Sequence, residues 1–526
     1  MKNVPPKSKA QQIGDLKKKV AEYPTTHRSD LNNFGILGCI SFIVALAINS
    51  PSSVNFAEGG FGHFLGSLLI VQLILFVFYK DIKRYKPVYY SDRKMMILLA
   101  ILVVGTLIMN RFFSYFLAAV QRGSDLSGDA FMYGIPIAAG AMLITLIFDF
   151  HLAISFSFVM SLISGIWMQS PHFAVYTFVG SLTAAFAVLR CRRRSTLVRA
   201  GLYVCAANLL TVAIILLLKG QFLSEQALAS VLFSLFSGLC VIAIVTSVLP
   251  IIEYSFQLRT DISLVELLDH DQELLRMLML NAPGTYHHSV IVGNLAEAAA
   301  EAIGVNPLMA RVTAYYHDIG KAKMPEYFVE NLAGAVNKHE KLTPHMSSII
   351  LISHVKEGLE LARQYKLPKP VLDVIQQHHG TSLMTYFYQK ALEQAGGTPP
   401  NHEEFRYPGP RPQTRIAALV MMADAVEAAT RSLAEATPAR IEALVEKIIN
   451  NIFLDGQIDE CELTLKDLSK IKDSFIHVLL SIFHRRIQYP DVDMRQFAGR
   501  QEAPRTDRDR GTQTNGSSGK ESAKIC

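Results

Sequence analysis

Eight near-continuous apolar runs follow one another between residues 34 and 249, at about 34–50, 61–79, 94–117, 131–148, 151–168, 172–189, 198–218 and 228–249. Each has, or approaches, the roughly 20 residues that an α-helix needs to cross a bilayer. A water-soluble core has no need of eight such runs back to back, and an all-buried helical domain is the one other home for them. The runs therefore predict one membrane span at 34–50, a short external loop at 51–60 and a seven-span domain over 61–252. The boundary between Phe148 and His151 rests on Asp149 and His151, which interrupt a longer apolar stretch.

Basic residues orient this domain. Lys17, Lys18 and Lys19 precede the first run, Lys80, Lys83, Arg84, Lys86, Arg93 and Lys94 separate the second from the third, and Arg190, Arg192, Arg193 and Arg194 follow the sixth. With eight spans all three clusters share one side, which the positive-inside rule makes cytoplasmic, together with both termini. The opposite loops carry only Arg122 and Lys219. About thirty polar residues, the N-terminal segment 1–33, precede the first run, so it reads as an uncleaved anchor rather than a cleaved signal. Asn110, Asp149, His151, Asn208 and Glu253 lie within or at the ends of runs; interface positions or structural hydrogen bonding account for them, with a ligand or signal site as the alternative. GIPIAAGA (134–141), Ser234, Ser237 and Gly238 suit close helix packing. The six cysteines form no CxxC pair, so neither a zinc knuckle nor a disulfide framework is indicated.

Beyond Pro250 the pattern changes. Leu264, Leu267, Leu268, Leu274, Leu275, Leu278 and Leu280 recur at helical spacing and predict an amphipathic connector helix over 253–283. It would dock the soluble half or pair two subunits in a homodimer. Pro283-Gly284 ends it, with a new helix from about Thr285 or Tyr286. The soluble half, 284–485, reads as all-helical, so the chain as a whole is all-α. Helices are expected over 289–303, from Pro307 to Gly320, and over 346–354, 371–379 and 415–431. A loop spans 396–412, and more helix lies within 438–485. Residues 486–526 form a disordered tail, whose polar part from 495 onward lacks the apolar residues to fold alone.

Eight of the sixteen histidines fall between His287 and His379, which marks this half as the site of any chemistry. Six of them sit in GTYHHS (284–289), YYHDIGK (315–321), ISHV (352–355) and QQHHGT (376–381), and MMADAVEAA (421–429) adds a carboxylate. The adjacent pair His317-Asp318 offers imidazole nitrogen and carboxylate oxygen, donors suited to Mn, Fe, Co or Zn. With two oxygens, Asp318 could bridge two ions roughly 3.5–4 Å apart. Asp424 lies among Met421, Met422 and Ala425, where an unpaired carboxylate is costly, so a metal or an internal partner is required. Each residue has a plainer reading. His288 could cap or line a helix, His354 could be a core histidine, and His378 and His379 a solvated helix end. His287 points about 100° away from His288 and reads as a neighbour of the site or as surface.

Together GTYHHS, HDIGK, HHGT with TYFYQKA behind it, and YPGPRPQTRIAALVMMADAVEAATRSL resemble the membrane-bound HD-domain phosphodiesterases with a seven-span sensor-like region, whose characterised members hydrolyse cyclic di-AMP. The motifs occur in family order, over about residues 60–480. The resemblance implies one metal held by His288, His317, Asp318 and Asp424, and another by Asp318, His354, His378 and His379, with Asp318 shared. It implies a bacterial inner-membrane protein, two divalent ions (Mn²⁺ or Fe²⁺), hydrolysis of cyclic di-AMP to pApA, and no DNA or RNA polymer as partner. Members usually carry a large extracytoplasmic domain after the first span; here PSSVNFAEGG stands in its place, so a role in sensing an external ligand does not carry over.

His317 and Asp318 are then the expected catalytic centre. Lys321 would donate to phosphate or stand as a solvated lysine. Arg415 allows the same two readings, and His339 and His345 are structural or face substrate from a loop. Two other functions use the same residues: an HD-type nucleotidase, and a receptor that binds nucleotide without turnover. Nothing resembles a kinase or a P-loop.

Overall fold

The computed structural model describes residues 35–48, 60–123, 130–332, 334, 336–395, 399–433 and 435–483. The segment 1–33, the loop residues 51–59 and the tail 486–526 lie outside the described residues. Regular structure among the described residues is helical apart from one isolated bridge between Leu383 and Arg406.

The membrane half comprises α1 (Gly35–Ile48), α2 (Gly60–Tyr85), the short α3 (Pro87–Ser91), α4 (Arg93–Arg122), α5 (Ala138–Ile147), α6 (Phe150–Trp167), α7 (Pro171–Ala187), α8 (Arg194–Leu218) and α9 (Glu225–Phe256). Among the described residues six stretches are long and apolar enough to cross a membrane: Phe64–Tyr85, Arg93–Val120, Ala130–Ile147, Phe150–Trp167, Arg194–Leu218 and Glu225–Phe256. The runs at 34–50 and 172–189 correspond to the shorter α1 and to the 17-residue α7. Leu69, Leu73 and Val77 repeat every fourth residue on α2 and are all more than half exposed. On a soluble protein such a stripe would be an interaction patch; on a spanning helix it is the face turned to lipid.

Polar residues mark the helix ends. Asp149 divides α5 from α6 because it caps α6, accepting from the Leu152 N–H at 2.9 Å, and its other oxygen lies 2.8 Å from Lys86. A cap of this kind satisfies a backbone donor that the first helical turn leaves free. Within the bundle, Gly238 brings α9 close to α8, since a Cβ there would lie 2.2 Å from the Cys205 sulfur and 2.9 Å from its Cα. Small residues at such contacts let backbones approach where no hydrophobic driving force operates.

The link to the cytoplasmic half is not one helix. α9 continues through Pro250 to Phe256 and stops at Gln257, whose φ of 49° is left-handed. Then follow α10 (Asp261–Leu267), capped by the Thr260 hydroxyl, and α11 (Glu273–Asn281). Gln272 Nε2 donates to the Glu266 carbonyl and fixes the turn between them. The leucine periodicity is kept across this break because Leu264, Leu274, Leu275 and Leu278 all enter one core with Leu308, Val312 and Tyr316. Arg194 at the start of α8 grips Glu266 through two nitrogens, at 2.6 and 3.1 Å. Pro283 opens the next helix rather than closing the last, because the first helical turn has no use for the N–H that proline lacks.

The cytoplasmic helices are α12 (Pro283–Ala302), α13 (Pro307–Tyr316), α14 (Pro344–Gln364), α15 (Lys369–Gln377), α16 (Thr385–Gln394), α17 (Arg415–Arg431), α18 (Pro438–Leu454) and α19 (Leu465–Ile482). One core joins α12, α17, α18 and α19 through Leu295, Ala296, Val420, Val445 and Phe475. The other joins the link helices to α13 and α15. α12 and α13 contribute to both, and the histidine-rich motifs lie where the two cores meet.

Candidate metal centre

Five chain segments bring one or two donors each to a single point. His288 lies in the first half of α12. His317 and Asp318 stand where α13 gives way to a 3-10 turn, Ile319–Lys323. His354 is midway along α14, His378 and His379 end α15, and Asp424 is central in α17. Local sequence fixes these positions. Asn306, Thr343 and Thr414 each accept from a first-turn N–H and so start α13, α14 and α17. Gly320 lets the 3-10 turn lie against α14, for a Cβ there would sit 1.8 Å from the His354 carbonyl oxygen and 2.6 Å from the Gly358 nitrogen.

Two groups of four donors result, each with ligand atoms within 4.8 Å of one another: His288, His317, Asp318 and Asp424; and Asp318, His354, His378 and His379. Asp318 belongs to both, one oxygen to each. Its Oδ2 faces His317 Nε2 at 3.2 Å and His288 Nε2 at 3.6 Å, while its Oδ1 faces His354 Nε2 at 3.3 Å and His378 Nε2 at 3.6 Å. Asp424 Oδ1 lies 3.0 Å from His288 Nε2, and its Oδ2 lies 3.7 Å from His379 Nδ1. Donor-to-donor separations of this size are the edges of a coordination shell, since bond lengths of about 2.0–2.2 Å place neighbouring ligands roughly 3 Å apart.

The ring nitrogens are sorted to match. Nδ1 of His317 meets the Ala314 carbonyl at 2.6 Å, that of His378 meets the Ile375 carbonyl at 2.9 Å, and that of His354 meets the Leu351 carbonyl. A carbonyl only accepts, so each Nδ1 carries a proton and each Nε2 is left to face inward. His354 Nε2 and His378 Nε2 consequently face each other at 3.4 Å as two acceptors, an arrangement that calls for a cation between them. His288 Nδ1 is held by Glu427 Oε2 at 2.5 Å, and Glu427 in turn by Arg431 at 2.5 Å. His288 Nε2, His317 Nε2 and Asp318 Oδ1 are buried with no hydrogen-bond partner. Holding a metal-facing imidazole by its far nitrogen is the usual way such ligands are oriented.

Electrostatics point the same way. Burial disfavours charge on His317, yet Asp318 and Asp424 outweigh it and push its pKa up to about 10. Burial likewise works against a charged His288, and Asp424 and Glu427 override it and raise its pKa. Burial opposes the ionised form of Asp318, but His317 and Lys321 hold it well below the carboxylate range, and His288 and His317 do the same for Asp424. His354 is pushed down to about 4 and His379 well below its usual value, chiefly by burial. The carboxylates demand positive charge while two imidazoles stay neutral, the state in which they bind metal. The residues present fit a pair of divalent ions.

Lys321 is not solvated. Its ammonium lies 2.7 Å from Asp318 Oδ2, off the hydrogen-bond direction, and donates to Glu330 Oε1 at 3.0 Å. Thr285 Oγ1 donates to the same Glu330 oxygen at 3.0 Å, tying this pair to the start of α12. His287 is exposed and outside both groups. His339 is buried, with Nε2 donating to the Tyr327 carbonyl at 2.8 Å; His345 lies 3.4 Å from Glu404 at the surface; and Arg415 donates to the Glu462 carbonyl at 2.7 Å. These three are held by structural contacts. Reasoning from sequence passed over Glu427 and Glu330. Glu427 stood three residues after Asp424 in an Ala-rich helix, a spacing that places it on the same face.

All seven donors fall within a stretch that matches a known family. Residues 61–260 match the family described as a 7TM receptor with intracellular HD hydrolase, and residues 285–429 match the HD domain. The cyclic-di-AMP phosphodiesterase PgpH of Bacillus subtilis (strain 168) is 40% identical over 368 residues, 68% of this chain and 52% of that protein. PgpH of Listeria monocytogenes serotype 1/2a (strain 10403S) is 35% identical over 431 residues, 81% of this chain and 58% of its own. The chain thus spans a little over half the length of these curated relatives. A crystal structure of the L. monocytogenes PgpH HD domain in complex with cyclic-di-AMP is 47% identical; the match covers 41% of this chain and 99% of that one, with a TM-score of 0.39. The apolar helices and the HD motifs make this a multi-pass inner-membrane protein with its HD domain on the cytoplasmic side. The chain belongs to the membrane-associated HD-domain family related to PgpH, in which a seven-span receptor-like segment precedes an intracellular HD hydrolase.

Proposed function

We propose that the chain is a metal-dependent phosphodiesterase that hydrolyses cyclic di-AMP to the linear dinucleotide pApA. The observation that carries this reading is the division of Asp318 between two donor groups, one oxygen to each. Adenine as the base rests on the names of the relatives, because the donor groups require only a phosphodiester.

His288, His317, Asp318 and Asp424 would hold one ion, and Asp318, His354, His378 and His379 the other. Mn²⁺ or Fe²⁺ suits this mixed nitrogen and oxygen set. Such a pair supplies Lewis acidity to the phosphoryl group and lowers the pKa of the attacking water. The chain's own residues do the rest. Backbone carbonyls and Glu427 keep the imidazole lone pairs aimed inward. Lys321 balances the charge of Asp318 and Glu330, a role in holding the bridge more than in gripping phosphate. Water adds to phosphorus, the P–O bond to the ribose 3′ oxygen breaks, and that oxygen leaves with a proton; opening one of the two diester links yields pApA.

The test is chromatography of products from the full chain in detergent, supplied with Mn²⁺ and a panel of cyclic di-AMP, cyclic di-GMP and 5′-AMP. The reading expects pApA from cyclic di-AMP as the fastest reaction. Free phosphate from 5′-AMP as the dominant product would make the protein a nucleotidase instead.

A further inference from the structure

The five imidazoles of the centre are not held alike. His288, His317, His354 and His378 each have Nδ1 fixed by a carboxylate or a backbone carbonyl, and their side chains are at most 6% exposed. His379 is 22% exposed, turns Nδ1 toward Asp424, and has no ring hydrogen bond among the described residues. Besides the rings of its fellow ligands His378 and His354, it has the Tyr407 ring, stacked on it with centroids 4.2 Å apart and planes at 26°.

Tyr407 is itself firmly placed. Its N–H donates to the Ser382 carbonyl at 3.1 Å, and the Met384 N–H donates to the Phe405 carbonyl at 2.8 Å. Arg406 Nη1 reaches the Thr381 carbonyl at 2.7 Å. The loop is therefore pinned, at Tyr407 and the two residues before it, to the residues that follow His379. Phe405 beside it is buried. A rigid aromatic face offset over an imidazole restricts ring rotation, as a hydrogen bond on the far nitrogen does for the other four.

We infer that Tyr407 is the positioning residue for His379, and that its ring face, not its hydroxyl, sets how well the group of Asp318, His354, His378 and His379 holds its ion. The inference rests on the two-metal reading above. His379 is then the most easily released ligand, at the open edge of the centre.

Calorimetric titration of the metal-free full chain in detergent with Mn²⁺ tests it, comparing wild type with Tyr407→Phe and Tyr407→Leu. Wild type should show two sites. Tyr407→Phe keeps the ring and should match wild type at both within about twofold. Tyr407→Leu should weaken one site by roughly 10–100-fold, the size that loss of a ligand's supporting partner has, and leave the other unchanged. Unchanged binding in Tyr407→Leu overturns the inference, as does an equal loss in Tyr407→Phe, which would assign the effect to the hydroxyl. If Tyr407→Leu does not fold, Tyr407→Phe decides alone: wild-type binding at both sites supports the ring face, and weakened binding overturns it. A single site in wild type would overturn the two-metal reading, and this inference with it, before any variant is compared.

Discussion

Asp318→Asn is expected to lose both metal ions and nearly all turnover while keeping the helical fold. The substitution preserves shape and burial but replaces one oxygen by an amide nitrogen, which presents hydrogens where a lone pair is needed. Each oxygen of Asp318 serves a different donor group, so no single-ion form survives intact. His354 and His378 then face each other across 3.4 Å, and His288 and His317 face Asp424, without the charge that draws a cation in. Removing a partner that merely orients a ligand costs about 10–100-fold in affinity or activity, so the loss here should be larger. Elemental analysis and turnover of the purified variant, with circular dichroism as the check on folding, read the result. Normal turnover would contradict the assignment whatever the substrate.

Gly320→Ala is expected to act through the fold. The new methyl carbon would lie 1.8 Å from the His354 carbonyl oxygen and 2.6 Å from the Gly358 nitrogen, both backbone atoms of α14 that cannot turn aside. Relief requires the 3-10 turn carrying Asp318 to move away from the helix carrying His354. Overpacking of this kind costs about 1–3 kcal/mol and occasionally more, a large part of the roughly 5–15 kcal/mol that stabilises a domain. The temperature that halves activity after brief heating should fall by several degrees, and ion binding should weaken where Asp318 and His354 act together. Wild-type values for both would contradict a role for this close approach in holding Asp318 against α14.

Much of this was legible in the chain itself. The apolar runs announced the membrane half because lipid tolerates little else for so long, and Asp149 and His151 announced a helix boundary by interrupting a longer apolar stretch. α17, Arg415–Arg431, was readable to the residue, since Thr414 starts it and a dense apolar pattern sustains it. The seven donors stood out because metals accept few side-chain types. Residues acting only through tertiary contact left a fainter signal. Glu427 resembles a surface glutamate until α12 places His288 against it, and Tyr407 resembles a loop aromatic until α15 ends beneath it. The break between α10 and α11 was hidden because leucines recur on both sides of it. Lys321 read as a phosphate donor or as a solvated lysine after a helix end, whereas Glu330, brought back by the following turns, encloses it.

The central claim is that one carboxylate spans two metal positions, and electron paramagnetic resonance of the Mn²⁺-loaded protein tests it most directly. Two ions about 3.5–4 Å apart across a shared carboxylate couple magnetically. At two equivalents of Mn²⁺ the account predicts the broad signal of a coupled pair in place of the six-line spectrum of isolated ions. A six-line spectrum that simply doubles between one and two equivalents would contradict it.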